Sequence, residues 1–274
     1  MKNSLNWFFA AILICGLTVS SCKKDPVPTP EPEPTPTQTV LTGMVGTGVP
    51  VYDSVTYTYE YDTNYRLVRS EAHNSNDNTV ILEYRFTYSE GSINIEGTKD
   101  DASITTVCTL DSESRITKIE ETSVDNYGVN TARIDLTYDA DGRLSTLTRL
   151  MPDISSESST KTFVWEGDEL KATDKDNGIV HTEFEVSNVP AQALFSIYGY
   201  EPELSELCAQ GYFGKTPAHM PSKRTVTTTV SIPGLPPIVA VYDYNYTINE
   251  EGHLATCEEL GSRTTKYALN WEER

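Results

Sequence analysis

The stretch Tyr138–Leu144, YDADGRL, constrains this chain more than any other, because looser copies of it punctuate runs that alternate apolar and polar residues. The copies are YDTNYRL (61–67), YSEGSI (88–93), LDSESRI (110–116), YDADGRL (138–144), WEGDEL (165–170) and INEEGHL (248–254). They start 27, 22, 28, 27 and 83 residues apart, and a truncated copy begins at Trp271. A period in the twenties is the length of one β-hairpin plus its connection. The acid bonds nearby backbone amides and Gly tolerates positive φ, so each copy reads as strand end, tight turn and return strand.

Between the turns the period is two. Val55, Tyr57, Tyr59 and Tyr61 alternate with Thr56, Thr58 and Glu60; Val80 to Tyr88, Ala132 to Tyr138 and Tyr242 to Ile248 repeat the pattern. Each is a strand with one apolar and one wet face, and together they predict an antiparallel meander. Past the turns the spacing slips: Leu144 and Leu147, Ile116 and Ile119, Leu254 and Cys257 lie three apart. Period two puts such pairs on opposite faces, and one extra residue, a β-bulge after each turn, restores the facing.

Roughly 13 or 14 strands are more than a twisted open sheet carries without curling or splitting. The single apolar face must bury itself, so the expectation is a mainly β protein whose long antiparallel meander curls into a half barrel or barrel-like sheet. Two sheets packed as a sandwich are the alternative. The long interval from Trp165 to Ile248 holds a strand, 179–187, and then Pro190 and Pro202 where first helical turns belong, with Gly199 and Gly211 where helices stop. Two short helices inserted near 190–210 are predicted, packing Leu194, Phe195, Ile197 and Tyr198, then Leu204, Leu207 and Cys208, onto the sheet. A polar loop to Thr225 follows, and strands 226–232 and 238–248 resume the meander.

The N-terminus supplies an address. Lys2 precedes an apolar run from Trp7 to Val19, and Val19-Ser20-Ser21 places small residues before Cys22, as a bacterial lipoprotein cleavage site requires. Residues 1–21 are expected to leave as a signal peptide, with Cys22 acylated. Residues 22–39 form a Pro-rich tether, in which Pro alternates with Thr and Glu from Pro26 to Pro36. Polyproline II at about 3.1 Å per residue makes it a stand-off spacer. Residues 40–274 then form one β-meander domain, with the helical insertion at about 188–225.

Charge narrows the partners. The chain has 21 basic and 40 acidic side chains; losing residues 1–21 removes one Lys and no acid, leaving a net charge of −20. Such a surface repels phosphate backbones, so nucleic acid is not a partner, and it disfavours lying on anionic lipid, so the acyl chains alone make the membrane link. A transmembrane barrel also alternates and turns tightly. Strands of seven to nine residues are short for one, where roughly 9 to 11 are needed, although Glu60, Glu83, Arg85, Arg133, Asp135, His181, Glu183 and Glu185 would suit a lumen. A lipid-held soluble barrel is the expectation. Cys108, Cys208 and Cys257 are too far apart for a metal or redox motif and read as buried, unpaired thiols.

The YDADGRL turns, the signal, SCKKD (21–25) and the proline tether resemble Bacteroidales outer-membrane lipoproteins built from YD-type hairpin repeats. The phrase GYFGKTPAHMPSK (211–223) resembles a loop in a family of unknown function described as porin-like in fold. The resemblance implies a curved antiparallel sheet and an outer-membrane location, and it carries no catalytic residues. LDSESRI without Gly and the shortened WEGDEL depart from the YDxxGRL form.

Chemical motifs are sparse. His73, His181, His219 and His253 have no metal spacing, and no nucleophile elbow, phosphate loop or dinucleotide fingerprint occurs. Asp174-Lys-Asp176-Asn-Gly178 and Asp139-Ala-Asp141-Gly142 lack the further ligands and distal Glu of a calcium loop and are hairpin turns. Neither cofactor nor metal is expected, nor an enzyme; an envelope hydrolase is the least favoured alternative. The aromatic residues remain: Tyr59, Tyr84, Phe86, Trp165, Tyr244 and Tyr246 on the apolar face, with Phe195 and Tyr198 above it, are candidates to face an apolar or glycan ligand. The expected function is ligand or partner binding by a lipid-anchored envelope protein, with an assembly accessory meeting another envelope protein as the alternative.

Overall fold

The computed structural model describes residues 38–49, 51–151, 158–192, 205–230, 232 and 234–274. The signal peptide, Cys22 and nearly all of the tether lie outside these residues, as does the predicted segment 193–204 with Phe195 and Tyr198. The strands are β1 (Thr39–Val49), β2 (Asp53–Tyr61), β3 (Leu67–Asn74), β4 (Val80–Ser89), β5 (Ser92–Lys99), β6 (Ala102–Leu110), β7 (Ile116–Asp125) and β8 (Gly128–Tyr138). They continue as β9 (Leu144–Leu150), β10 (Ser159–Glu166), β11 (Glu169–Lys175), β12 (Val180–Pro190), β13 (His219–Thr228), β14 (Ile238–Ile248), β15 (Leu254–Leu260) and β16 (Thr264–Glu273). Each pairs antiparallel with its sequence neighbours, and β1 pairs with β16 from Thr39↔Glu273 to Thr47↔Lys266, closing a 16-strand barrel.

Closure bears out the barrel-like sheet, corrects its half-barrel form and excludes the sandwich: no edge is left unpaired, which removes the open backbone row that a half barrel would expose. The expectation of two helices is corrected in part: the second is present in shortened form, no helix opens at Pro190, and most of the first lies outside the described residues. Among the described residues there is one helix, α1 (Ser205–Ala209). Pro190 ends β12 opposite His219 instead of opening a helix, and β13 begins at His219, inside the stretch expected to be loop. Pro190 lies where the β12–β13 pairing has become irregular, so its missing N–H costs the ladder little.

The bulges are where the spacing places them. Thr137 pairs with Thr146 but Tyr138 with Leu144, so Ser145 is the extra residue. Thr117, Ala255, Val68 and Lys171 are extra in the same way after their own turns. The result is that Leu144, Ile116, Leu254, Leu67 and Leu170 all face inward and are at most 1% exposed.

The apolar face is the inside of the barrel. Tyr84, Phe86, Ile93, Ile134, Leu136, Phe163, Phe184 and Leu269 share one buried cluster, and Cys108, Cys208 and Cys257 join it as free thiols. Strands run from 7 to 11 residues, so length does not separate this barrel from a membrane-spanning one; sidedness does. Arg69, Arg85, Lys118, Arg133 and Lys223 project outward among Glu60, Glu71, Glu83, Glu120, Asp135 and Glu185, with which they form ion pairs. A basic residue on a lipid-facing wall costs about 2–4 kcal/mol at mid-depth. This wall is built for water, the reverse of a transmembrane barrel with its apolar exterior and polar lumen.

The turns are joined to their neighbours by a repeated set of contacts. Asp139 Oδ1 accepts from the backbone N–H of Asp141 (3.0 Å) and Arg143 (2.9 Å), and Oδ2 accepts from Arg143 Nε (2.8 Å). Asp62 with Arg66 and Asp111 with Arg115 repeat this, and Asn249 supplies the acceptor for His253 N–H at 2.7 Å. Gly142 takes the left-handed conformation (φ 78°) that Ser114 and Tyr65 adopt in copies without Gly. Each turn cation then covers the aromatic side chain that closes the next hairpin: Arg66 lies 4.5 Å from the Tyr88 ring, Arg115 4.6 Å from Tyr138 and Arg143 5.9 Å from Trp165.

The same aromatic residues finish the ladders. Tyr138 O–H donates to Ile116 O (2.6 Å), Tyr88 to Leu67 O (2.8 Å), Tyr61 to Leu41 O (2.8 Å) and Tyr246 to Pro221 O (2.6 Å). Trp165 Nε1 donates to Leu144 O (2.8 Å) and Trp271 Nε1 to Leu254 O (2.7 Å). In all six the acceptor immediately precedes an extra residue and lies just beyond the last pair of its ladder, as Ile116 lies beyond Lys118↔Asp135. A buried carbonyl left there unpaired would cost about 1–3 kcal/mol.

Tyr138→Phe is therefore expected to lower unfolding free energy by about 1–2 kcal/mol in urea with an unchanged m-value, whereas Tyr127→Phe, whose ring is 98% exposed, should stay within about 0.5 kcal/mol. Burial pushes the Asp62, Asp111 and Asp139 carboxyls up, but the backbone N–H and guanidinium of Arg66, Arg115 and Arg143 outweigh it and hold all three below the ordinary range. Depressed folded-state pKa values give stability that is complete above about pH 4 and is lost as pH falls through them. The triple variant Asp62→Asn, Asp111→Asn, Asp139→Asn should show a shallower loss of stability between about pH 5 and 2 than the wild type; an identical slope would contradict this assignment.

Candidate functional site

The two ends of the barrel differ. The acidic turns and both ends of the barrel-forming chain, Gln38 and Arg274, lie at one end, where Gln38 and Arg274 exchange backbone hydrogen bonds of 2.9 and 3.0 Å. The described part of the connection from β12 to β13, residues 205–218, sits in this mouth as a plug. Leu207, Cys208 and Phe213 are buried on the core, and Gly211 (φ 82°) ends α1, its N–H donating to Cys208 O. Beyond the helix the plug is stitched to one side of the rim: Tyr212 O accepts from Ile116 N–H (2.7 Å), Lys215 N–H donates to Gly142 O (2.9 Å) and Ala218 N–H to Asp168 O (2.9 Å). Gly214 makes this approach possible, because a Cβ there would stand 2.3 Å from Gly142 O.

The described plug residues bind the rim at the turns after β6, β8 and β10. A cavity of about 830 Å³ lies between the plug and the ends of β1, β2 and β16. Tyr59, Tyr61, Tyr65, Tyr212 and Trp271 supply its aromatic surface, and Gln38, Asn64, Gln192 and Gln210 its amides. Ligand cavities are commonly about 300–1,000 Å³ with an apolar lining and a few placed polar groups, and this space has that size and make-up.

Several lining groups are already oriented. His253 stacks on Trp271 with ring centroids 5.1 Å apart. Gln192 bridges the turn before β15, donating to Gly252 O (3.2 Å) and accepting from Leu254 N–H (2.6 Å). Tyr65 O–H donates to Arg274 O (2.9 Å), tying the first turn to the C-terminal residue. Arg66 holds Asp62 and covers Tyr88, and Lys215 Nζ donates to Asp168 (2.6 Å). The walls are thus arranged before any ligand arrives, which reduces the entropy lost on binding.

Of the residues expected to face a ligand, Tyr59 lines the cavity. Tyr84, Phe86 and Tyr244 are buried in the barrel core, and Tyr244 O–H donates to Glu259 (2.7 Å). Trp165 and Tyr246 are half-buried, with their polar atoms committed to Leu144 O and Pro221 O. Phe195 and Tyr198 lie outside the described residues. Sequence reasoning missed Tyr61, Tyr65, Tyr212 and Trp271 as a group, together with the amides. Tyr65 and Tyr212 stand outside any strand alternation, so periodicity gave no sign of them.

Nucleophilic or metal chemistry finds little support in the geometry. Burial pushes the Cys108 thiol, and burial with nearby Glu259 and Glu258 the Cys257 thiol, up to about 12, and burial raises Cys208 as well. Among the described residues no three His, Cys, Asp or Glu side chains are placed to hold a metal. Asp174, in one of the Asp-rich turns, is bonded to His181 Nδ1 at 2.6 Å; Asp139 serves its own turn.

No protein-family model and no curated protein sequence matches the chain. Among solved structures it is similar to a porin-like protein from Bacteroides uniformis, at 17% identity and a TM-score of 0.58, over 85% of this chain and 96% of that one. It is likewise similar to a porin-like protein from Bacteroides vulgatus, at 11% identity and a TM-score of 0.61, over 86% and 99%. At such identities the likeness is one of fold alone, and the porin-like fold is the part of the expected resemblance that these neighbours share.

Thiols whose ionisation is opposed by burial do not react as thiolates near neutral pH. Cys108, Cys208 and Cys257 should be inert to a disulfide-exchange reagent in the native barrel at pH 8 and titrate as three thiols only in denaturant; rapid labelling of any of them in the folded protein would contradict the packing described.

Proposed function

We propose that this protein is a lipid-anchored outer-membrane module, acylated at Cys22, that binds a ligand non-enzymatically in the cavity at the mouth of its barrel. The observation that carries the reading is the 830 Å³ cavity walled by pre-oriented aromatic and amide side chains. The water-facing wall supports attachment by acyl chains in place of insertion, because the charged strands would be costly in hydrocarbon. The porin-like Bacteroides neighbours are in keeping with an envelope location. Gln38, at the start of the barrel-forming residues, itself lines the cavity.

An assembly accessory that meets another envelope protein is the second reading, and one observation favours it. At the barrel end away from the mouth, Val51, Tyr127, Val129, Ile232, Leu235 and Ile238 are more than half exposed, which is more apolar surface than hairpin tips need for folding.

Ala191 lines the cavity beside Gln192, so Ala191→Trp should fill it without touching the ladders. Mass spectrometry of small molecules retained by protein purified from its own envelope should find a species bound to the wild type and absent from Ala191→Trp at equal melting temperature. An identical ligand complement in the two would overturn the cavity reading.

A further inference from the structure

We infer that the β13–β14 hairpin makes a second contact with the membrane, its tip from Ile232 to Ile238 entering the headgroup–acyl boundary of an uncharged bilayer; this rests on the reading that Cys22 carries the acyl anchor. The hairpin is an electrical gap in an acidic chain. From Thr225 to Tyr242 the sequence holds no Asp, Glu, Lys or Arg, although 22% of the chain is charged. The acidic surface that sets the rest of the barrel against anionic lipid is interrupted here.

The tip also stands out from its neighbours. Residues 229–237 connect β13 to β14, whereas the turns on either side are the shorter 176–179 and 261–263. Thr229 N–H donates to Ile179 O (2.8 Å), which puts Thr229 level with the turn beside it and leaves the rest of the connection beyond. Ile232, Leu235 and Ile238 are 59%, 54% and 63% exposed, and Val239 and Val241 carry the apolar surface down the outer wall. An apolar face of this kind is buried about 5–10 Å deep when it lies at a bilayer boundary.

Backbone chemistry favours lipid over a protein partner. A loop that enters the acyl boundary must not bring unpaired N–H groups with it, since hydrocarbon offers them no acceptor. Pro233, Pro236 and Pro237 have no N–H to bring, and Leu235 N–H donates to Ile232 O (3.2 Å) across the turn. Most of the tip is thereby spared the desolvation cost that a loop of ordinary composition would meet. A protein that recognised this segment through its main chain would instead need those donors.

Chain length permits the contact. From Cys22 to Gln38 the chain spans about 50 Å at roughly 3.1 Å per residue. The longest strands have 11 residues, which is about 36 Å at roughly 3.3 Å each. An anchor at Cys22 therefore reaches either end of the barrel.

The acylated protein reconstituted into phosphatidylcholine vesicles tests this, with Leu235→Trp as the probe. Lipids brominated in their acyl chains should quench the fluorescence that Leu235→Trp adds to the wild type by about twofold or more, as for a side chain at the acyl boundary. Adding Ile232→Asp and Ile238→Asp should abolish the quenching at an unchanged melting temperature. Mixing phosphatidylglycerol into the vesicles should weaken it at low salt, and raising the salt should restore it. Absence of quenching in protein that floats with the vesicles, or quenching untouched by the two Asp substitutions, would overturn the inference while the anchor reading stood. Emission shifted to the blue without bromolipid quenching, together with a dimer in sedimentation or a cross-link from the hairpin to another envelope protein, would overturn it in favour of a protein contact. Protein that does not float and whose Cys22 has an unmodified mass would overturn the anchor reading, and the inference with it.

Discussion

Everything at the mouth of this barrel depends on one requirement: a buried backbone carbonyl must have a donor. Each bulge ends a ladder early, and the carbonyl ahead of the extra residue would be left without a partner inside the wall. A phenol or indole from the next strand supplies the donor at Ile116, Leu67, Leu41, Pro221, Leu144 and Leu254. That requirement explains why the strand ends carry Tyr or Trp and why Phe appears one step deeper, as at Phe86 and Phe163, where the ladder is still intact. It also gives the turn motif its range: the acid folds its own turn, while the Arg and the residue after it reach to the aromatic ring of the next hairpin.

The functional consequence is a division of labour among aromatic residues that look alike in the chain. Those that finish ladders are committed to the backbone. Tyr61 and Trp271 do both, donating to Leu41 and Leu254 while their rings line the cavity. Such residues give a binding site walls that do not move, at the expense of polar groups that a ligand would otherwise meet. The polar recognition then falls to the amides. The plug shapes the cavity, because hydrogen bonds to Ile116, Gly142 and Asp168 fix its described residues against the rim.

Sidedness, and not strand length, separates this barrel from a pore. Sixteen strands in a round wall would enclose a channel, but here the interior is a packed apolar cluster and the charges stand outside. Membrane barrels with the same alternation read the other way round, and the alternation itself is silent about which face is in. What separates the two is the identity of the facing residues: Tyr84, Phe86, Ile134 and Leu136 pack together, while Glu83, Arg85, Arg133 and Asp135 face the solvent.

By itself the sequence determined the local rules: strands from the two-residue period, turns from acidic residues with Gly, and a bulge from the three-residue spacing of Leu144 and Leu147. These are legible because each involves residues within one hairpin, where a handful of dihedral preferences and one buried face suffice. The buried, unpaired state of the three thiols was also within reach, from their isolation along the chain. Closure was not, since it depends on β1 finding β16 across more than two hundred residues and no local pattern encodes that register. The strand at His219–Thr228 and the end of β12 at Pro190 were hidden for a related reason: pairing with each other overrides the prolines and the polar composition that suggest helix and loop. The cavity is the most remote of all, because Tyr59, Gln192, Tyr212 and Trp271 meet only when the barrel has closed and the plug is fixed against its rim; tertiary structure alone decided it.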